Sequence, residues 1–177
     1  MSVDRRPVRF SSAWSVGRVL ATVFGSPDFI PAVYLKRGAD IHRWTEHYDL
    51  GQVYRPEEDL AGWCDAYKAF TYAHAPSWHD NGIETVFETG VYHGVIDRIG
   101  FLKGFGESVC DIKTGKPNPK KDSLQLAAYT QGFFPETYDS IDRVGIYIAK
   151  DGTYKVRQYD DNEDFQRWKE ILHHAIT

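Results

Sequence analysis

The stretch GVIDRIGFLKGFGESVCDIKTGK, residues 94–116, decides how the chain is read. It holds two short apolar runs, Val95–Phe101 and Ser108–Ile112, joined by the glycine-rich turn around Gly104 and Gly106. Runs of this length bounded by turn residues are strands. Asp97 interrupts the first run, and Asp111 and Lys113 interrupt the second as Asp-x-Lys. Side chains two apart on a strand share a face, so Asp111 and Lys113 project together while Cys110 and Ile112 face the core. If the strands pair through the turn, Asp97 lies beside Asp111. Two converging carboxylates repel, and a hard divalent cation neutralises them. A lysine beside that cation is placed for phosphate chemistry. The plainer alternative pairs Asp97 with Arg98 or another surface cation and leaves Asp111 and Lys113 on an exposed sheet edge. The apolar surroundings argue against it, because burying three charged groups without a purpose is costly.

Working outward, the period changes on either side of these strands. Upstream, Ser11 or Ser12 caps a helix over AWSVGRVLATVF. AVYLKRGADIHRWTEHYDL reads as a long helix stopped by Gly51, and Pro56 opens a third, with acids in its first turn. IETVFETG, from Ile83, is the strand before Asp97. Downstream, DSLQLAAYTQGFF is a helix capped by Asp122 or Ser123. RVGIYIAKDGTYKVRQY is a hairpin around Asp151-Gly152, and DNEDFQRWKEILHHAI is a terminal amphipathic helix. Three helices, three strands, a helix, a hairpin and a helix predict one α/β domain, with a central mixed β-sheet flanked by helices. Its parts are a helical N-terminal region over 11–75, a core over 83–160 and a C-terminal helix over 161–176.

Composition agrees. The 177 residues are enough for one domain with a full core. Charged residues make up 26% and apolar residues 42%, which excludes a long disordered chain. With 21 basic and 25 acidic residues the net charge is −4, so any surface that attracts nucleic acid must be local. Cys64 and Cys110 form no CxxC or CxxH pair, which argues against structural zinc and iron–sulfur clusters. No apolar run approaches the length of a membrane span, and MSVDRRPVRFSS has no signal-peptide core. A cytoplasmic protein with reduced thiols is expected.

The motifs resemble those of the PD-(D/E)XK nucleases, in the RecB-like branch that includes recombination, phage and CRISPR-associated members. Gly94 to Asp97, Asp111 to Gly115, and Gln125 with Tyr129 match that branch's G-x-x-D, D-x-K-T-G and Q-x-x-x-Y. Upstream, RGADIHRWTE supplies Gly38, His42 and Glu46. The likeness spans roughly residues 38–130. It implies a restriction-endonuclease-like core. Asp97, Asp111, His42 and the Ile112 carbonyl would be metal ligands, with Lys113 the catalytic lysine and Gln125 and Tyr129 steadying the site. Glu46 would be an accessory acid, a role for which Glu84 and Glu88 compete. The implied cofactor is one or two Mg²⁺ or Mn²⁺ ions and the implied substrate DNA. The implied activity is phosphodiester hydrolysis, with an exonuclease favoured over an endonuclease and a recombination partner or a homo-oligomer as possible company. A catalytically silent binding module is the main rival, and a small-phosphoester hydrolase the second.

Lys116, Lys120 and Lys121, in GKPNPKK, read as a phosphate-binding loop beside the acids. Arg5, Arg6 and Arg9 could add a basic arm. His173-His174 read as a helix C-terminal pair favoured by the dipole, not a metal tract.

Overall fold

The computed structural model describes residues 10–25, 31–55 and 59–177. In chain order the elements are β1 (Trp14–Ser15), α1 (Val16–Phe24), α2 (Ala32–Asp49), α3 (Ala61–His74), β2 (Ser77–Glu88), β3 (Tyr92–Phe101) and β4 (Glu107–Lys113). There follow α4 (Pro119–Phe133), a 3₁₀ turn (Tyr138–Ser140), β5 (Asp142–Ile148), β6 (Tyr154–Gln158) and α5 (Glu163–Ile176). The protein is a single α/β domain with a mixed six-stranded sheet, as the element pattern predicts. The strands run β1-β3-β4-β5-β6, with β2 also paired to β3. β4 and β5 are parallel neighbours and α4 makes the crossover that a parallel pair requires. The other neighbours are antiparallel, except for the short parallel β1–β3 contact.

Helices cover both faces, and this is why β4 is buried along nearly its whole length. On one face α1, α4 and α5 enclose Val16, Leu20, Ile96, Ile99, Leu126 and Trp168. On the other, α3 packs Trp63, Tyr67 and Phe70 over Ile112, Val144 and Ile146. Cys110 lies in this second core, as the alternation on β4 predicts, and both cysteines are buried and unpaired. Among the described residues no helix is long and apolar enough to cross a membrane.

Several boundaries differ from the sequence expectation. Helix α1 begins three residues late: Ser15, not Ser11 or Ser12, accepts the capping bond from the Arg18 amide, because Trp14 and Ser15 first add a short strand to β3. Ser12 instead bonds His93. Helix α4 begins early. Asn118 caps it through the Lys121 amide and Pro119 occupies its first turn. The segment 115–121 is therefore a loop only to Asn118, and Lys120 and Lys121 are helical. Asp122 does not cap the helix; it accepts from the Asn118 amide at 2.9 Å and from the Tyr147 hydroxyl at 2.7 Å. Pro56 and the basic arm of Arg5, Arg6 and Arg9 lie outside the described residues, and α3 follows Leu60. The Asp151-Gly152 turn forms as predicted, with Gly152 at φ +82°.

Candidate active site

Strands β3 and β4 pair from Arg98–Cys110 to Phe101–Glu107. One step further along that register Asp97 faces Asp111, and there the ladder gives way to side chains. The Ile112 amide donates to Asp97 Oδ2 at 2.6 Å. One oxygen of Asp97 is thus fixed to β4, and the other is left for the space above the strands. Into that space helix α2 brings His42, whose Nδ1 lies 3.6 Å from Asp97 Oδ1 and 4.0 Å from Glu84 Oε1. Ligating atoms of His42, Glu84 and Asp97 all fall within 4.8 Å of one another. An imidazole and two carboxylates at that spacing suit a divalent cation with hard oxygen preference, and the imidazole favours Mn²⁺ beside Mg²⁺.

Glu84 reaches this point through a backbone irregularity. Trp78 pairs with Gly100 and Ile83 with Arg98, so the four residues His79–Gly82 of β2 stand opposite the single residue Ile99. After the bulge the register continues to Thr85–Ile96, which sets Glu84 across from Asp97. Glu84 itself has φ +49°, a left-handed conformation costly for a residue with a Cβ. Strain of this kind at a charged residue in a cleft marks a position held for its side chain. Of the three candidate accessory acids, then, Glu84 joins the cluster. Glu46 is buried on α2 but is not part of that group. Glu88 accepts from Ser11 and from the Ser12 amide and is exposed.

Asp111 takes a different partner set from the one expected of it. Lys113 Nζ lies 2.8 Å from its Oδ2 and Gln125 Nε2 donates to its Oδ1 at 3.1 Å. It is therefore outside the His42–Glu84–Asp97 group. Gln125, from α4, completes the arrangement: its Oε1 accepts from Lys113 at 2.8 Å and its Nε2 also donates to the Tyr129 hydroxyl at 2.8 Å. The four residues form one hydrogen-bonded unit that links β4 to α4. Burial pushes the Asp111 carboxyl up to about 6, with the charge on Asp97 adding to the effect and Lys113 opposing it. Burial works against the Lys113 ammonium, but Asp111 more than offsets it, and the lysine holds its proton more firmly than usual. Tyr129 is raised well above the ordinary phenol range by burial, then by Asp111 and Asp97, so it stays neutral. The Ile112 side chain lies in the second core, and its amide grips Asp97.

Arg98 does not fit the plainer alternative that the apolar surroundings argued against. It is not a surface partner of Asp97, and β4 is not an edge strand. The Arg98 side chain is fully buried on the far side of β3. It donates to Asp49 (2.6 Å), Thr45 (3.0 Å), Glu84 (3.3 Å) and the Asp97 carbonyl (2.6 Å). It ties α2 to β2 and β3, so the helix carrying His42 and the strand carrying Glu84 are positioned by one guanidinium. Asp49 in turn accepts from the Tyr67 hydroxyl at 2.6 Å. Nothing local in the sequence announces this, since its side-chain partners lie 14 to 53 residues away.

The three lysines separate. Lys116 lines a groove that runs past the end of β4. Lys120 lines a second groove, in which Arg157 and Arg167 are balanced by Asp160, Asp161 and Asp164. Lys121 is part-buried in the first turn of α4. His173 and His174 close α5, far along the chain from the cluster, as a C-terminal pair.

Comparison with known proteins adds little to this geometry. The chain matches no known family, and no curated protein matches it. Among solved structures it is similar to a crystal structure of SSO0001, at 18% identity and a TM-score of 0.39 over 91% of this chain and 82% of that one.

Proposed function

We propose that the protein is a divalent-metal-dependent nuclease that hydrolyses DNA phosphodiester bonds. The observation that carries this reading is the meeting of His42, Glu84 and Asp97 from three separate elements beside the Asp111–Lys113–Gln125 unit. Such a set has no evident structural purpose, because it gathers three carboxylates in a partly buried place at an electrostatic cost. His42, Glu84 and Asp97 would hold a Mg²⁺ or Mn²⁺ ion, with Asp111 alongside for the same ion or a second. A cation bound there supplies Lewis-acid activation of water and of the scissile phosphate.

The chain's own groups supply the rest. Lys113, held between Asp111 and Gln125, presents a fixed positive charge to the phosphorane-like charge that builds during attack. Gln125 gives that lysine a second acceptor beside Asp111. Tyr129 stays protonated and braces the Gln125 amide. Arg98 keeps the strained Glu84 facing the cluster. The motif likeness favours an exonuclease of the RecB-like PD-(D/E)XK type, on a restriction-endonuclease-like core. A cytoplasmic setting suits both the substrate and the two unpaired cysteines.

The test is cleavage of linear duplex, closed circular and single-stranded DNA with Mg²⁺, Mn²⁺ or EDTA, by wild type and by Asp97→Ala. Metal-dependent loss of linear substrate that Asp97→Ala abolishes is expected. Binding of DNA without cleavage under any metal would replace this reading with that of a silent module.

A further inference from the structure

A groove of about 480 Å³ opens where β4 ends, walled by α3 on one side and by the β5–β6 hairpin on the other. Its lining includes Lys116, Lys150 and Lys155 together with the rings of Trp63 and Tyr154, and it contains no acidic residue. For a chain of net charge −4 that is a local reversal of sign. All three lysines are exposed, and none makes an ion pair among the described residues. The nearest acid on the hairpin, Asp151, turns back on its own loop and accepts from the Thr153 amide and hydroxyl at 3.0 and 2.6 Å. The groove's place is fixed by packing. A methyl group on Gly62 would sit 1.6 Å from the Lys150 carbonyl oxygen, so only glycine there lets α3 and the hairpin close on each other. Trp63, next in sequence, lines the groove, and its buried indole N–H has no partner. The groove begins at Thr114, the residue after Lys113, and Tyr147, the register partner of Lys113, forms part of its wall.

We infer that this groove binds a single strand of nucleic acid leading to or from the Lys113 site. Unpaired lysines track a phosphate backbone, and the half-buried Tyr154 ring receives an unstacked base. Its volume lies in the range of a small-molecule cleft, about 300–1,000 Å³, which takes a few nucleotides of one strand and not the body of a duplex. The inference rests on the nuclease reading for its direction, but it assigns Lys150, Lys155 and Tyr154 a role that no motif gave them.

The experiment measures binding of a fluorescein-labelled single-stranded oligonucleotide by anisotropy in EDTA, where no cleavage occurs, from 50 to 300 mM salt. The paired variant Lys150→Gln/Lys155→Gln is compared with Lys103→Gln/Lys169→Gln, which removes the same charge elsewhere. Each phosphate contact contributes about 0.7 to the salt slope for a single strand, so the hairpin pair should lower the slope by about 1.4 and weaken binding about twentyfold at 0.1 M salt. The control pair should leave the slope unchanged, and a blunt duplex of equal length should lose less than the single strand does. Equal losses for the two pairs, an undiminished slope, a duplex that suffers as much as the single strand, or a wild type that binds no oligonucleotide would each overturn the inference. Cleavage by wild type is scored separately. A nuclease whose hairpin pair binds normally refutes the groove alone, and a protein that binds through these lysines yet never cuts refutes the nuclease reading alone.

Discussion

Replacing Arg98 with methionine should be among the most damaging single changes in the molecule. Methionine fills the space of the arginine stem and removes the guanidinium. Four interactions go with it, to Asp49, Thr45, Glu84 and the Asp97 carbonyl. The Asp49 side chain, only 3% exposed, keeps a single donor, the Tyr67 hydroxyl. Glu84 and Asp97 lose the cation behind them. Breaking a buried ion pair from one side costs about 3–5 kcal/mol, since the surviving charge stays desolvated. In a chain of this size each kcal/mol moves Tm by about 2–4 °C, so the loss should be about 6–20 °C. The assay is thermal unfolding by circular dichroism in EDTA at pH 7.5. A second variant, Arg98→Met/Asp49→Asn, neutralises the orphaned carboxylate while leaving Tyr67 an acceptor, and it should recover much of the loss. A single variant that melts within about 2 °C of wild type would refute the view that this guanidinium holds α2 against the sheet. A double variant no better than the single would show that the stranded Asp49 charge is not the cause.

Lys113→Ala should lower the cleavage rate about 10²–10³-fold with the far-ultraviolet dichroism unchanged, and wild-type turnover would remove the lysine from the mechanism. Glu84→Gln should weaken Mn²⁺ binding at least tenfold by calorimetry, whereas Glu88→Gln should leave it as it is. The raised Asp111 carboxyl predicts a specific pH dependence: its folded value, about 6, lies above its ordinary 3.8, so the folded state binds this proton more tightly than the unfolded one. The metal-free protein is therefore penalised in full above pH 6, and the penalty fades between pH 6 and 4. Asp111→Asn should raise Tm in EDTA at pH 8 and lose that advantage by pH 4. A gain that persists at pH 4 would contradict the assignment. Burial raises the Cys64 thiol to about 11 and that of Cys110 higher still, so neither should react with iodoacetamide at pH 8 until denaturant is added, as mass spectrometry would show.

The parts of the fold legible in the sequence were those with a strong local period or a turn that only certain residues make. The apolar runs around Asp97 and Asp111, the Asp151-Gly152 hairpin and the amphipathic α5 are of this kind. The start of α4 was misjudged because Asn118 competes with Asp122 and Ser123 as a cap, and the winner is decided by where Asp122 is needed, against Tyr147. The short β1 was missed because two residues carry no period; β3 alone makes them a strand. In the site, alternation on β4 correctly set Asp111 and Lys113 on the α4 side, where Gln125 meets both, and Cys110 on the other. The choice of Glu84 over Glu46 was not legible, since it depends on a bulge with no signature beyond Gly82. Nor was the role of Arg98, since a buried arginine and a surface one look alike in a string of letters.

The bulge in β2 has a genetic corollary. Glu84 arrives opposite Asp97 because His79–Gly82 take up a fixed amount of chain against Ile99. Most substitutions within that segment should be quiet, Gly82 excepted, where an added methyl would meet the Ile99 carbonyl at 2.3 Å. Insertions and deletions are another matter. A one-residue slip turns every following side chain of a strand to the opposite face, so losing a single codon there could carry Glu84 out of the cluster and bring Ile83 or Thr85 in, with the sheet still formed. In this stretch the reading frame of the strand, more than the spelling of its residues, is what inheritance must preserve.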